Sequence, residues 1–239
     1  MTAIKILFAL FLILLLMGCG KPSSPPPPAS LAEEIISADW EPRTESEAQE
    51  LSLLCLVNAD NPVPEDCSIC LEYINESLAV DRRCIQELKA MLEACRAAGY
   101  DPYICSAYRD RETQISLYEN KLAALMAQGL DKETAQTEAA RHVARPDTSE
   151  HQTGLAVDII DSDYTVLDEA QAITGTQQWL MKNSWRYGFI LRYPEDKSET
   201  TGIIYEPWHY RYVGRESAEG IYESRLCLEE WLEGRNEVN

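Results

Sequence analysis

The chain has 239 residues, is 45% hydrophobic, and carries 21 basic against 40 acidic side chains for a formal net charge of −19. That excess of carboxylates excludes nucleic acid as a partner, because phosphates demand basic patches. The apolar fraction is ordinary for a globular protein and leaves enough for one sizeable core.

Ile6 to Met17 is an unbroken apolar run of twelve behind Lys5. It is shorter than the ~20 residues of a membrane span and suits the hydrophobic region of a secretory leader. It ends in Leu16-Met17-Gly18-Cys19, which resembles a bacterial lipobox, in which the cysteine is lipidated and becomes the mature N-terminus. An uncleaved anchor is the alternative. Residues 21–30 are rich in proline and form a semi-rigid spacer, followed by an acidic stretch to about residue 50. The expected organisation is a lipoprotein signal peptide over 1–18, lipidated Cys19 with a linker over 19–50, and one domain over 51–239. Such a protein sits on the outer face of the membrane, near the cell wall, and no obligate protein partner is evident.

Cys19 apart, seven cysteines remain: Cys55, Cys67, Cys70, Cys84, Cys95, Cys105 and Cys227. An exported chain permits disulfides, and an odd number leaves one cysteine over. Cys67-Ser68-Ile69-Cys70 has no second C-x-x-C to complete a four-cysteine zinc site, so local disulfides or buried thiols are expected. Spacing does not give their connectivity.

Asp81 is a candidate cap for a helix to about Ala98, with Cys84, Leu88, Met91, Leu92 and Cys95 on one stripe. Asp101–Ser106 reads as a strand. Asp110 or Thr113 caps a helix to about Gln128, and Asp131 caps another to about Ala144. Leu155–Ile160 is a strand, Gln177–Tyr187 a helix closed by Gly188, and Phe189–Tyr193 a strand. Glu206–Val213 reads as a last strand, with Trp208, Tyr210 and Tyr212 opposite His209, Arg211 and Val213. Gly220–Leu232 reads as a closing helix. Helices and strands mix without βαβ alternation, so the class is α+β.

Two of the three histidines lie in polar segments of the C-terminal half: Ser149-Glu150-His151-Gln152-Thr153-Gly154-Leu155-Ala156-Val157-Asp158, and Glu206-Pro207-Trp208-His209. Two imidazoles and a carboxylate suffice for a catalytic zinc with one open position. Asp158 is a single charge inside an apolar strand, costly to bury without a partner or a metal. Gly154 permits the turn that brings His151 to the side of Asp158. Pro207 keeps Glu206 and His209 off a common regular helix. Glu206 is then a candidate general base. Arg109, with its planar fork, is a candidate partner for an oxyanion or a substrate carboxylate. His142, on a helix, is expected to be structural.

At these residues the chain resembles the VanY-type D-alanyl-D-alanine carboxypeptidases, zinc peptidoglycan peptidases that share a core with hedgehog signalling domains. The carrying segments are Ser106–Gln114, Ser149–Asp158, Tyr187–Pro194 and Thr201–Gly214. The resemblance implies a central antiparallel sheet flanked by helices, and one Zn2+ per chain held by His151, Asp158 and His209. It further implies Glu206 as base, Arg109 stabilising the tetrahedral intermediate, and Ser149 and Gln114 lining the substrate pocket. Two departures stand out. Ala107 stands where the family commonly has glycine, and the stretch between Arg109 and Ser149 is long, with extra helix around Lys121–Val143. The cysteines between 55 and 105 look particular to this chain.

The implied function is removal of the terminal D-alanine from peptidoglycan stem pentapeptides. The nearest alternative is an L,D-carboxypeptidase acting on tetrapeptide stems. A non-catalytic wall-binding lipoprotein is a more distant one, against which the presence of Glu206 argues.

Overall fold

The computed structural model describes residues 52–65 and 67–236, all within the compact unit Arg43–Asn239. The leader, Cys19 and the linker expected at 1–50 lie outside the described residues. Among the described residues no helix is long and apolar enough to cross a membrane.

A two-stranded hairpin, β1 (Leu71–Tyr73) and β2 (Ala79–Asp81), precedes helix α1 (Ile85–Ala97). Strand β3 (Pro102–Ser106) leads into helices α2 (Arg111–Ala127) and α3 (Lys132–His142). Then come β4 (Ala156–Asp161), α4 (Gly175–Asn183), β5 (Phe189–Leu191), the single turn α5 (Ser198–Thr201), β6 (His209–Tyr212), α6 (Arg215–Ser224) and α7 (Leu228–Asn236). β3, β4, β6 and β5 form, in that order, one sheet, and each neighbouring pair is antiparallel. The fold is α+β, as expected.

The two faces of this sheet do different work. Side chains alternate along a strand, so Val157 and Ile159 point one way while Asp158 points the other. Val157, Ile159, Tyr210 and Tyr212 join the main core, against which α1 packs the expected stripe Cys84, Leu88, Met91, Leu92 and Cys95. The opposite face carries Asp158, His209 and Arg211. Register sets Asp158 directly across from His209, a pair whose Cβ atoms are ~5 Å apart. A second apolar cluster, including Leu54, Ile190, Ala218 and Leu228, seals the end of the domain built by α6 and α7.

Asp110 and Asp131 cap α2 and α3, accepting from Thr113 N and Thr134 N. Four expectations need correction. Asp81 does not cap α1. It ends β2, where its carboxylate accepts from Cys70 N and from the backbone and guanidinium of Arg83, so the helix starts later, at Ile85. The strand expected from Phe189 to Tyr193 stops at Leu191. The last strand begins at His209, because Glu206–His209 is a turn closed by His209 N donating to Glu206 O at 3.1 Å. Pro207 stands second in it, where its fixed φ suits a turn. The closing helix is two helices, interrupted where Arg225 takes φ +58°.

Candidate active site

His151 sits in a 3-10 turn, Glu150–Thr153, at the mouth of β4. Gly154 ends that turn at φ +71°, and a Cβ there would meet Asp81 N at 2.9 Å. Both the dihedral and the close approach demand glycine. Arg109 N donates to His151 O at 3.2 Å, which ties the loop after β3 to this turn. His151, Asp158 and His209 thereby converge, with one ligand atom from each lying within 4.8 Å of the others. All three are buried.

The hydrogen bonds fix which nitrogens are available. His151 Nδ1 is 2.7 Å from the carbonyl of Ala107, to which it donates, so Nε2 keeps its lone pair and points to Asp158 Oδ2 at 3.3 Å. His209 Nε2 is turned to Glu150 Oε2 at 3.4 Å, which leaves Nδ1 facing Asp158 Oδ1 at 3.1 Å. The two rings meet edge to face, 4.9 Å between centroids. Asp158 Oδ1 is buried and faces only His209 Nδ1, a costly state for a carboxylate oxygen when that nitrogen carries no proton. Arg109 Nη2 reaches Asp158 Oδ2 and His151 Nε2, each at 2.8 Å, so a positive charge already faces two of the three donor atoms. Two imidazole nitrogens, an unsatisfied carboxylate oxygen and a cation-seeking donor set fit a zinc ion.

Glu206 Oε2 lies 3.7 Å from His209 Nδ1. Burial pushes its carboxyl up to about 8, with His209 pulling the other way and Asp158 adding to the rise. Burial also pulls His151 down to about 4, helped by Arg109. Burial opposes charge on His209 too, but the Asp158 and Glu150 carboxylates outweigh it and raise the imidazole to about 9. Burial works against ionised Asp158 as well, yet His151, His209 and Arg109 hold it well below the usual carboxylate range.

Behind the donor atoms stands a buried ion network that the sequence reading missed. Glu150 Oε1 accepts from Arg192 Nε at 2.7 Å and from Arg211 Nη1 at 2.8 Å. Arg192 continues to both oxygens of Glu229 on α7, at 2.8 and 2.6 Å. Arg211 donates to the carbonyls of Leu53 and Cys55, each at 2.9 Å. Glu150 thus orients His209 through the nitrogen that faces away from the ligand set, as outer carboxylates do for metal-bound imidazoles. One signal was available: Arg211 shares the face of His209 in an otherwise aromatic strand.

A cavity of about 680 Å3 opens over the site, and Arg109, Ser149, Tyr193, Glu206 and Trp208 line it. Ser149 is on its wall. Gln114 is not. It is fully buried beneath Arg109, accepting from Arg109 Nη1 at 3.2 Å and donating to Ala144 O at 2.7 Å, so it positions the arginine and does not line the pocket. The long stretch after Arg109 becomes the pair α2 and α3, which packs on its own small core around Leu125, Ala135 and Ala139. It lends the cavity Leu117, Lys121 and His142. His142 also contacts Glu138 Oε1 at 3.0 Å. Ala107, the other departure, is buried and supplies the carbonyl that holds His151.

The profile of the family VanY, D-alanyl-D-alanine carboxypeptidase, matches residues 77–215. A D-alanyl-D-alanine carboxypeptidase of Enterococcus faecalis is 44% identical over 191 residues, 80% of this chain and 69% of the relative. Among solved structures, the vancomycin resistance D,D-pentapeptidase VanY from a VanB-type cassette, a mutant in complex with Zn(II), superposes with TM-score 0.70. It is 42% identical, over 76% of this chain and 99% of that one. The LdcB LD-carboxypeptidase superposes with TM-score 0.62 at 34% identity, over 76% of this chain and 86% of that one. The chain belongs to the VanY family of D-alanyl-D-alanine carboxypeptidases and is a metallo-carboxypeptidase.

Proposed function

We propose that this protein is a zinc-dependent D,D-carboxypeptidase that removes the terminal D-alanine from peptidoglycan stem pentapeptides. The observation that carries the proposal is the convergence of His151, Asp158 and His209, with Glu206 and Arg109, at the floor of one cavity. His151 Nε2, Asp158 Oδ2 or Oδ1 and His209 Nδ1 would hold the ion. Zinc, when bound, supplies Lewis acidity and makes water at the site more acidic.

The protein's own groups supply the rest. Glu206, a buried carboxyl with Oε2 3.7 Å from His209 Nδ1, takes the proton from the attacking water and returns it to the leaving D-alanine nitrogen. Arg109 is held by Ser106 Oγ at 2.9 Å and by Gln114, so its fork is preset for charge that develops on the scissile carbonyl or for the peptide's terminal carboxylate. Burial of the cluster excludes water and strengthens each of these interactions. The D,D assignment is supported by the higher identity to the D,D-pentapeptidase than to the LD-carboxypeptidase, 42% against 34%. Incubation with zinc and a stem pentapeptide, beside the matching tetrapeptide, should release one D-alanine from the pentapeptide alone. Loss from the tetrapeptide alone would make it an L,D-enzyme, and loss from neither would refute the activity.

The same proposal places the enzyme on the outer face of the membrane, tethered by lipid at Cys19. The support is the run Ile6–Met17, the Gly18-Cys19 junction and the proline-rich spacer. Two acyl chains anchor stably where one does not. Cys19→Ala should shift the protein from the membrane fraction to the soluble one, and unchanged fractionation would refute the tether.

A further inference from the structure

One wall of the cavity over the zinc site has no part in the proposed chemistry. It is the face of α2 that carries Leu117 and Lys121. Residues 114, 117 and 121 stand at i, i+3 and i+7, so they share one side of the helix. Gln114, the first of them, accepts from Arg109 Nη1 at 3.2 Å. Tyr118 and Leu122, a step round the helix, pack instead on the small core with Leu125, Ala135 and Ala139. That core, shared with α3, fixes which side of α2 meets the cavity.

Lys121 is half-buried, and among the described residues its ammonium makes no hydrogen bond or ion pair. Burial is the largest influence on it and works against its charge, with Glu138 alone in support. Glu138 is itself engaged by His142 Nε2 at 3.0 Å. Of the acids that line the cavity, Asp158 is taken by Arg109 at 2.8 Å. Asp168 accepts from Tyr164 Oη at 2.9 Å and from Ala170 N at 3.0 Å, and neither Glu169 nor Glu206 pairs with Lys121. Acidic side chains outnumber basic ones 40 to 21 in this chain, yet this cation is left facing the cleft without one. A partly desolvated ammonium with no counter-charge is a costly state that an incoming anion relieves.

We propose that Lys121 is a second anion subsite of this cleft, which binds a substrate carboxylate two or three residues before the C-terminus. The subsite rests on the reading of stem peptides as substrate, and it names the part of them that the cleft holds beyond the scissile bond. From Gln114, which presets Arg109, seven residues of helix rise ~10 Å to Lys121. Three residues of extended peptide span a similar length, ~10 Å. With the peptide's C-terminal end at Arg109, a chain running along α2 brings its third or second residue to Lys121. Clefts of ~300–1,000 Å3 take drug-sized molecules, so a cavity of about 680 Å3 has room for more than two alanines. Stem peptides offer a carboxylate at both places. An isoglutamyl second residue, joined through its γ-carboxyl, keeps its α-carboxylate, and a diaminopimelyl third residue carries one at the end of its side chain. A stem with isoglutamine and lysine there has neither.

The test is calorimetric binding to zinc-loaded Glu206→Gln protein, which needs no turnover. Three pentapeptides are titrated: isoglutamate with lysine, isoglutamine with unamidated diaminopimelate, and isoglutamine with lysine. At least one of the two carboxylate-bearing stems should bind about 10-fold more tightly than the third, and the one that does identifies the carboxylate. Adding Lys121→Met should erase that preference and leave the Kd of the third stem within about twofold, whereas Lys121→Arg should keep most of the preference. Equal affinity for all three stems (absent binding included), a preference that survives Lys121→Met, or an equal loss for all three in that variant would overturn the proposal; the last would make Lys121 a support of the fold. Release of D-alanine by wild-type protein is followed beside the titrations. A preference that depends on Lys121, with no release from any stem, would refute the peptidase activity and support the subsite.

Discussion

Glu150→Gln probes the network beneath the site most directly. The amide has the shape of the carboxylate, so packing is unchanged. With its oxygen in the place of Oε1 it can still accept from Arg192 and Arg211, now without charge. Its NH2 group then faces His209 Nε2, where Oε2 stood at 3.4 Å. A ligand that binds zinc through Nδ1 must carry its proton on Nε2, so donor would oppose donor. The two hydrogen bonds, each ~1.5–3 kcal/mol when charge-assisted, lose the acceptor's charge, and the two guanidiniums keep only Glu229 as counter-charge. Breaking a buried ionic cluster of this kind costs about 3–5 kcal/mol, or roughly 6–20 °C in Tm for a domain of this length.

Outer-partner loss should also weaken zinc binding about 10–100-fold. Thermal unfolding and zinc competition against a chromophoric chelator measure the two effects separately. Although burial opposes its charge, Arg192 and Arg211 hold the Glu150 carboxyl below its ordinary value. A depressed carboxylate stabilises the fold above the unfolded-state pKa, about 4.5, and that stability is lost as pH falls below it. Glu150→Gln should therefore flatten the acid limb of the stability curve. A variant with wild-type zinc affinity, and with Tm within about 2 °C of wild type, would refute the claim that Glu150 orients His209.

Glu206→Gln should keep zinc content at one per chain and lower kcat by about 10²–10⁴; equal turnover would remove Glu206 from proton transfer. Arg109→Ala should lower kcat/KM by about 10²–10³ without weakening zinc, since its guanidinium shares His151 Nε2 and Asp158 Oδ2 with the ion's place, and a loss of zinc affinity would mean that it supports the ligands instead. For the metal-free protein the pH dependence follows from two raised groups. Glu206, raised to about 8, loses stability as pH climbs from about 4.5 to 8, and His209, raised to about 9, does so from about 6.5 to 9. Metal-free protein should thus become less stable from pH 6.5 to 9, while zinc affinity rises over the same range as His209 gives up its proton; a flat stability curve there would contradict the burial of these groups.

Asp158 and His209 of the buried cluster that could hold a metal were legible because each breaks a local pattern. Asp158 is a charge inside an apolar strand, and His209 alternates with core tyrosines, so parity alone separated site from core. The stripe on α1 and the aspartate caps of α2 and α3 were legible for the same reason: their partners are three or four residues away. Glu150, Arg192, Arg211 and Glu229 were not. Their partners lie 37 to 61 residues apart in sequence, and a charge in a motif looks solvated until the fold supplies its counter-charge. The break at Arg225 was hidden because a left-handed residue there is arginine, where glycine would have marked a stop.

The four residues Glu206-Pro207-Trp208-His209 show why spacing alone was insufficient. Three apart, a base and a ligand share one face of a helix but opposite faces of a strand. Neither geometry occurs. The fixed φ of Pro207 and the bond from His209 N to Glu206 O make a turn. That turn delivers His209 to the first position of β6, opposite Asp158, and leaves Glu206 Oε2 3.7 Å from His209 Nδ1. Glu206 N is also held, by Tyr193 O at 3.2 Å. Glu206 and His209 are therefore one rigid unit anchored at both ends. Replacing Pro207 should loosen the base before it releases the metal, lowering kcat with little change in zinc affinity.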